Sequence, residues 1–151
     1  SNVSMRNVAA PLFLRLGDRA RPAVEGGPKQ PVGRLRNVTI SGIRARGAGP
    51  VGCPIAGLPG HPIENLSLRD IRLEFQGGGT AEDARRVPAE SAARYPEFKM
   101  FGTLPAYGLY TRHLRGLRLR DIELIASRHD ARPAIALSDG EGLIAENAPV
   151  P

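Results

Sequence analysis

At 151 residues the chain is long enough for one domain with a sizeable core and too short for two ordinary ones. Apolar residues make up 41% and charged residues 24%, and 18 Gly with 14 Pro stay below the share that marks low complexity, which argues against wholesale disorder. The net charge is +6, and all but Lys29 and Lys99 of the 21 basic residues are arginine.

Such a charge favours a polyanionic partner, yet the arginines are scattered and form no basic block or stripe. A solvated basic surface is therefore expected, and no nucleic-acid partner. No apolar run reaches membrane-helix length, and Ser1-Asn2-Val3-Ser4 carries no signal-peptide pattern, so no membrane partner is expected. The lone Cys53 excludes an internal disulfide and a Cys-based zinc site, and neither a metal nor a cofactor is expected.

One short pattern returns along the chain: Asn or Gly, then apolar, polar, apolar, two turn-like residues and apolar. It opens at Asn2-Val3-Ser4-Met5-Arg6-Asn7-Val8, directly at the start of the sequence, and recurs at Asn37–Ile43, Asn65–Ile71 and Gly116–Ile122. A degenerate copy covers Gly142–Ala148. Residues 54–73 and 105–124 can be laid together without a gap, matching Pro54/Pro105, Gly57/Gly108, Leu58/Leu109 and the whole run from Leu66/Leu117 to Leu73/Leu124 at most positions. The alternation has period two, so Leu66 and Leu68 point one way and Ser67 the other. Each copy reads as strand, bend, strand. A further short run lies upstream of each pair: Leu12-Phe13-Leu14, Gly57-Leu58, Tyr107–Tyr110 or Ala134–Leu137.

Three strands per repeat predict an all-β right-handed parallel β-helix of about four to five coils, in which Val3, Val38, Leu66, Leu117 and Leu143 stack. Asn, Gly and Asp at the corners suit the left-handed backbone that bends require. That role also accounts for the glycosylation triplets at Asn2, Asn37 and Asn65, each a bend Asn followed by an outward Ser or Thr two residues on.

Residues 77–104 interrupt the stack as an inserted loop or lid. Gly77-Gly78-Gly79 opens it, Thr80-Ala81-Glu82-Asp83 reads as a helix N-cap for a short helix through Arg86, and Pro88 starts a second helical turn. Its Tyr95, Phe98 and Phe101 lie among Arg85, Arg86, Arg94 and Lys99, a mix suited either to clamping a charged sugar or to packing the loop on the flank.

Four segments carry a family resemblance: Ala10–Arg19, Gly57–Asn65, Gly77–Ala84 and Tyr95–Tyr110. They resemble the C-terminal coils of glycoside hydrolase family 28, the polygalacturonase-like enzymes, and the resemblance covers nearly the whole chain. It implies an inverting hydrolase of acidic polysaccharide or oligosaccharide, in an extracellular or periplasmic setting. The family motifs Asn-Thr-Asp, Asp-Asp, Gly-His-Gly and Arg-Ile-Lys are absent, and Gly60-His61-Pro62 does not inherit the histidine role. The 151 residues are thus expected to form a single partial domain without catalytic residues, their parent's acids lying upstream. A non-catalytic carbohydrate-binding or adhesin-like module is the alternative.

Uronate carboxylates need cationic partners, and arginine presents a matching fork. Two binding positions follow: Arg15 with Asp18, and Arg112 with His113 beyond the strand bearing Tyr107 and Tyr110. Tyr95 and Phe98 complete the candidate substrate-binding set if they reach the same cleft.

Overall fold

Period-two alternation with left-handed residues at fixed intervals lets a strand bend sharply without ending. In the computed structural model, which describes residues 2–19, 22 and 24–151, seven strands form: β1 (Val3–Arg6), β2 (Leu14–Arg15), β3 (Arg36–Ala48), β4 (Cys53–Ala56), β5 (Ile63–Phe75), β6 (Leu109–Ala126) and β7 (Ile135–Glu146). All pair in parallel, in one sheet ordered β1-β3-β5-β6-β4-β2, with β7 also on β6. The chain is all-β, its parallel strands forming a curled sheet.

The curl follows from the length of β6. Its first residues, Leu109–Arg112, pair with β4, while Leu114–Ala126 pair with β5. His113 lies between the two stretches with φ 51°, a left-handed corner. The expected bends sit at Asn37, Asn65, Gly116 and Gly142 (φ 55°, 53°, 77° and 73°), and a second set at Gly42, Asp70 and Asp121 (φ 68°, 52° and 53°). Asn65 Nδ2 donates to Asn37 Oδ1 at 3.0 Å, so the bend asparagines form a ladder between neighbouring strands.

The apolar positions stack as the repeat predicts through the middle of the chain. Val38, Leu66, Leu117 and Leu143 are in register, and so are Ile40, Leu68, Leu119 and Ala145. Leu66, Leu68, Leu73 and Phe75 are almost completely buried and form one continuous core with Leu117, Leu119 and Leu124 of β6.

Three expectations are corrected. Val3 and Met5 lie beside Ile43 and Ala45, not Val38 and Ile40, because Asn2 (φ 59°) occupies the second bend next to Gly42. The upstream matches Pro54/Pro105, Gly57/Gly108 and Leu58/Leu109 fall out of register: Cys53 pairs with Leu109 and Pro54 with Tyr110. The chain between Leu58 and Pro62 absorbs the difference, Leu58 and His61 closing a tight turn through mutual N–H to carbonyl bonds of 2.9 and 2.8 Å. Finally, the 77–104 insertion holds only a 3₁₀ turn at Asp83–Arg85. Thr80 and Asp83 do make the reciprocal capping bonds, but no apolar face follows to be buried, so the turn does not propagate.

Candidate functional site

The short strands build a column beside the long ones. Leu14, Ile55, Thr111 and Leu137 share one register row, and Arg15, Ala56, Arg112 and Ser138 the next. The insertion lies on the outward face of this column. Met100, Phe101 and Leu104 pack there with Ala56 and Tyr110, leaving Tyr110 only 1% exposed.

Beneath the insertion the two arginines close on one residue, Glu90. Arg15 Nη1 donates to the Gly57 carbonyl and Nη2 to the Glu90 carbonyl, both at 2.5 Å, with the guanidinium 5.2 Å from the centre of the Phe101 ring. Arg112 Nη1 donates to the Pro88 carbonyl at 2.6 Å, and its Nη2 pairs with Glu90 Oε1. His113 Nε2 lies 2.9 Å from the same oxygen, while its Nδ1 meets Asp139 Oδ2. The ring thus lies between the carboxylates of Glu90 and Asp139.

Several buried atoms of this cluster have no hydrogen-bond partner: Arg15 Nε, Arg112 Nε, Glu90 Oε2 and the Tyr110 hydroxyl. Burial lowers the Arg15 pKa, an effect that Glu90 opposes and Arg112 reinforces. Burial also raises the Tyr110 pKa, so its hydroxyl stays a neutral donor at ordinary pH. The cluster offers the Arg112 guanidinium, which already pairs with a carboxylate, a second guanidinium beside it and a neutral phenol, which is chemistry for holding a carboxylate. It contains no activated nucleophile, and among the described residues no group of His, Cys, Asp and Glu is arranged to hold a metal ion.

Of the candidates, Arg15, Tyr110, Arg112 and His113 converge. The other four do not. Asp18 pairs with Lys29 at 2.6 Å on the surface, and its N–H reaches the Ala92 carbonyl at 2.8 Å. Tyr95 is 68% exposed and carries Arg19 over its ring at 5.0 Å, while Phe98 is covered by its neighbour Lys99. Tyr107 turns inward, edge-on to Phe75, with its hydroxyl donating to the Leu124 carbonyl at 3.2 Å. Tyr107 lies in the bend before β6 and Tyr110 within the strand, so the two are not on one strand as the sequence implies, and they pack in different clusters.

Glu90 is the member of the cluster the sequence did not flag. It lies between Ala89 and Ser91 in an aperiodic stretch, and only the long-range return of the insertion sets it beside Arg112. Beyond His113 and Asp139 opens a groove of ≈ 320 Å³, lined also by Leu58, Pro62 and Arg115. No protein-family model, curated protein or solved structure matches the chain.

Proposed function

We propose that the chain is the C-terminal part of a polygalacturonase-like glycoside hydrolase of family 28. In this reading the curled sheet is a right-handed parallel β-helix of four to five coils, and the substrate is an acidic pectic polysaccharide cleaved by inversion. The catalytic acids belong to coils N-terminal to these residues, and the parent works outside the cytoplasm. This segment supplies scaffold and part of the groove.

The observation that carries the reading is the closure of Arg15 and Arg112 on Glu90. Two strands separated by β4 present guanidinium groups on the outward face of the short-strand column; Arg112 pairs with the Glu90 carboxylate, while Arg15 holds the backbone carbonyl of the same residue. A uronate sugar presents the same group to Arg112, with Arg15 beside it. Glu90 is then a stand-in for substrate, and the insertion a lid that an acidic sugar displaces. The carbohydrate-binding module remains the second reading, favoured by the absence of an Asp-Asp pair from the sequence.

Titration of the isotopically labelled chain with tetragalacturonate tests the proposal. Amide shifts at Arg15, Tyr110, Arg112 and Glu90, absent with a neutral tetrasaccharide, are expected. Unmoved amides at all four positions overturn it.

A further inference from the structure

A second set of arginines gathers on the long strands and β1, outside the short-strand column that carries Arg15 and Arg112. Parallel pairing sets Ser4 beside Arg44 and Arg44 beside Arg72, and it sets Arg6 beside Arg46. All five side chains face outward and are exposed. They line a groove of ≈ 430 Å³ whose wall, completed by Met5 and Ala45, contains no acidic residue.

This arrangement contrasts with another row of the same sheet, although Arg69 and Arg120 also lie opposite each other. Arg36, Glu64, Arg115 and Glu141 form a row of alternating sign, and Arg115 Nε bonds Glu141 at 2.5 Å. Like charges directly opposite one another on neighbouring strands cost stability. Arg44 is relieved by Asp70 at 2.6 Å and Arg72 by Glu123, both from outside the groove lining. Arg6 and Arg46 have no acidic partner among the described residues. The fold thus leaves two guanidinium groups in register with their repulsion uncompensated by protein.

We propose that this groove binds successive carboxylates of a linear acidic polysaccharide as a second contact site, separate from the Glu90 cluster. Its ligand class rests on the acidic-saccharide reading above. Strands about 4.8 Å apart offer one guanidinium each at a spacing close to the length of one sugar ring, so a uronate chain crossing the strands meets one fork per residue. Ser4 adds a hydroxyl for sugar oxygens. The groove lining has no aromatic ring on which a nucleic-acid base could stack.

The test is affinity electrophoresis of the whole chain through gels containing polygalacturonate, neutral dextran or duplex DNA. The variants are Arg6→Gln/Arg46→Gln, Arg6→Gln alone in case the double variant folds poorly, and Arg85→Gln/Arg128→Gln as a remote, charge-matched control. Wild type should be retarded by polygalacturonate and not by dextran. The groove variant should bind about tenfold more weakly and the single variant by an intermediate factor, with the melting temperature of both equal to or above that of wild type and the control within about twofold of wild type. Absent retardation of wild type, equal binding by the groove variant, an equal loss in the control, or tighter retention by duplex DNA each overturns the proposal. Tetragalacturonate shifts at the Glu90 cluster are read separately, so either site can fail alone.

Discussion

Asp130 and Arg132 form an ion pair with almost no exposed surface, Nη2 lying 2.7 Å from Oδ2 with side-chain exposures of 0% and 1%. Around it converge both roots of the insertion and the turn before β4. Asp130 Oδ2 accepts the Gly79 N–H at 2.9 Å, while Arg132 donates to the carbonyls of Leu104 at 3.2 Å and Pro50 at 2.9 Å. The pair fastens the point where the chain leaves the stack and the point where it returns.

Removing one partner strands the other charge in the interior. Asp130→Ala or Arg132→Ala should each cost about 3–5 kcal/mol, as broken buried pairs do. Gly79→Ala should also destabilise, since its Cβ would lie 2.1 Å from Arg132 Nε. Denaturant midpoints within error of wild type for the two charge variants would contradict the staple.

Acid should weaken the same contact in a definite window. Burial raises the Asp130 pKa, but bonds from the Arg132 side chain and from the Gly79 and Arg132 amides outweigh it, holding the carboxyl down at about 2. Because the folded value lies below the unfolded one near 3.9, the stabilisation is complete above that unfolded value and is lost as pH falls through about 2. It amounts to about 2 kcal/mol at neutral pH. Denaturant titrations of wild type and Asp130→Asn across pH 2–5 check this: the wild-type advantage should shrink toward the acid end, and a constant gap would refute it.

Leu68 and Leu119 face each other across β5 and β6, at 0% and 1% exposure. Leu68→Ala or Leu119→Ala should each cost about 2–5 kcal/mol, because neighbouring strands leave little freedom to collapse into the cavity. An unchanged melting temperature for either variant would contradict the stacked core.

Cys53 is fully buried, and burial pushes its thiol up to about 12, a hydrogen bond with the Leu12 backbone only partly opposing this. A water-soluble thiol reagent at pH 8 should therefore leave the folded chain unlabelled and react promptly once denaturant is added. Rapid labelling of the native chain would show that β4 opens readily.

The long-strand half of the fold was legible because its signal is local: Leu66-Ser67-Leu68 and Leu117-Arg118-Leu119 declare strand, face and register within a few residues. The short column was less legible. Leu58 matches Leu109 in sequence at the same offset, yet the turn at Leu58–His61 shifts the pairing so that Cys53 takes that place. Arg15 and Arg112 could be singled out from residue type and strand position, and the structure brings both to Glu90. Glu90 could not, since its place depends on how an aperiodic segment folds back, and Tyr95 and Phe98 carried an aromatic signal that burial instead granted to Phe101. Arg6 and Arg46 were invisible as a pair, because parallel pairing alone brings residues so far apart in sequence together.

The most direct test of the carboxylate-binding account is the calorimetric affinity of the chain for tetragalacturonate, compared between wild type and Glu90→Gln. Gln keeps the shape of the side chain and removes the charge that competes for Arg112. If Glu90 stands in for a uronate, the variant binds the tetramer several-fold more tightly, and Arg112→Gln abolishes that gain. Equal or weaker binding by a fully folded Glu90→Gln chain would show that Arg15 and Arg112 serve only to hold the insertion in place.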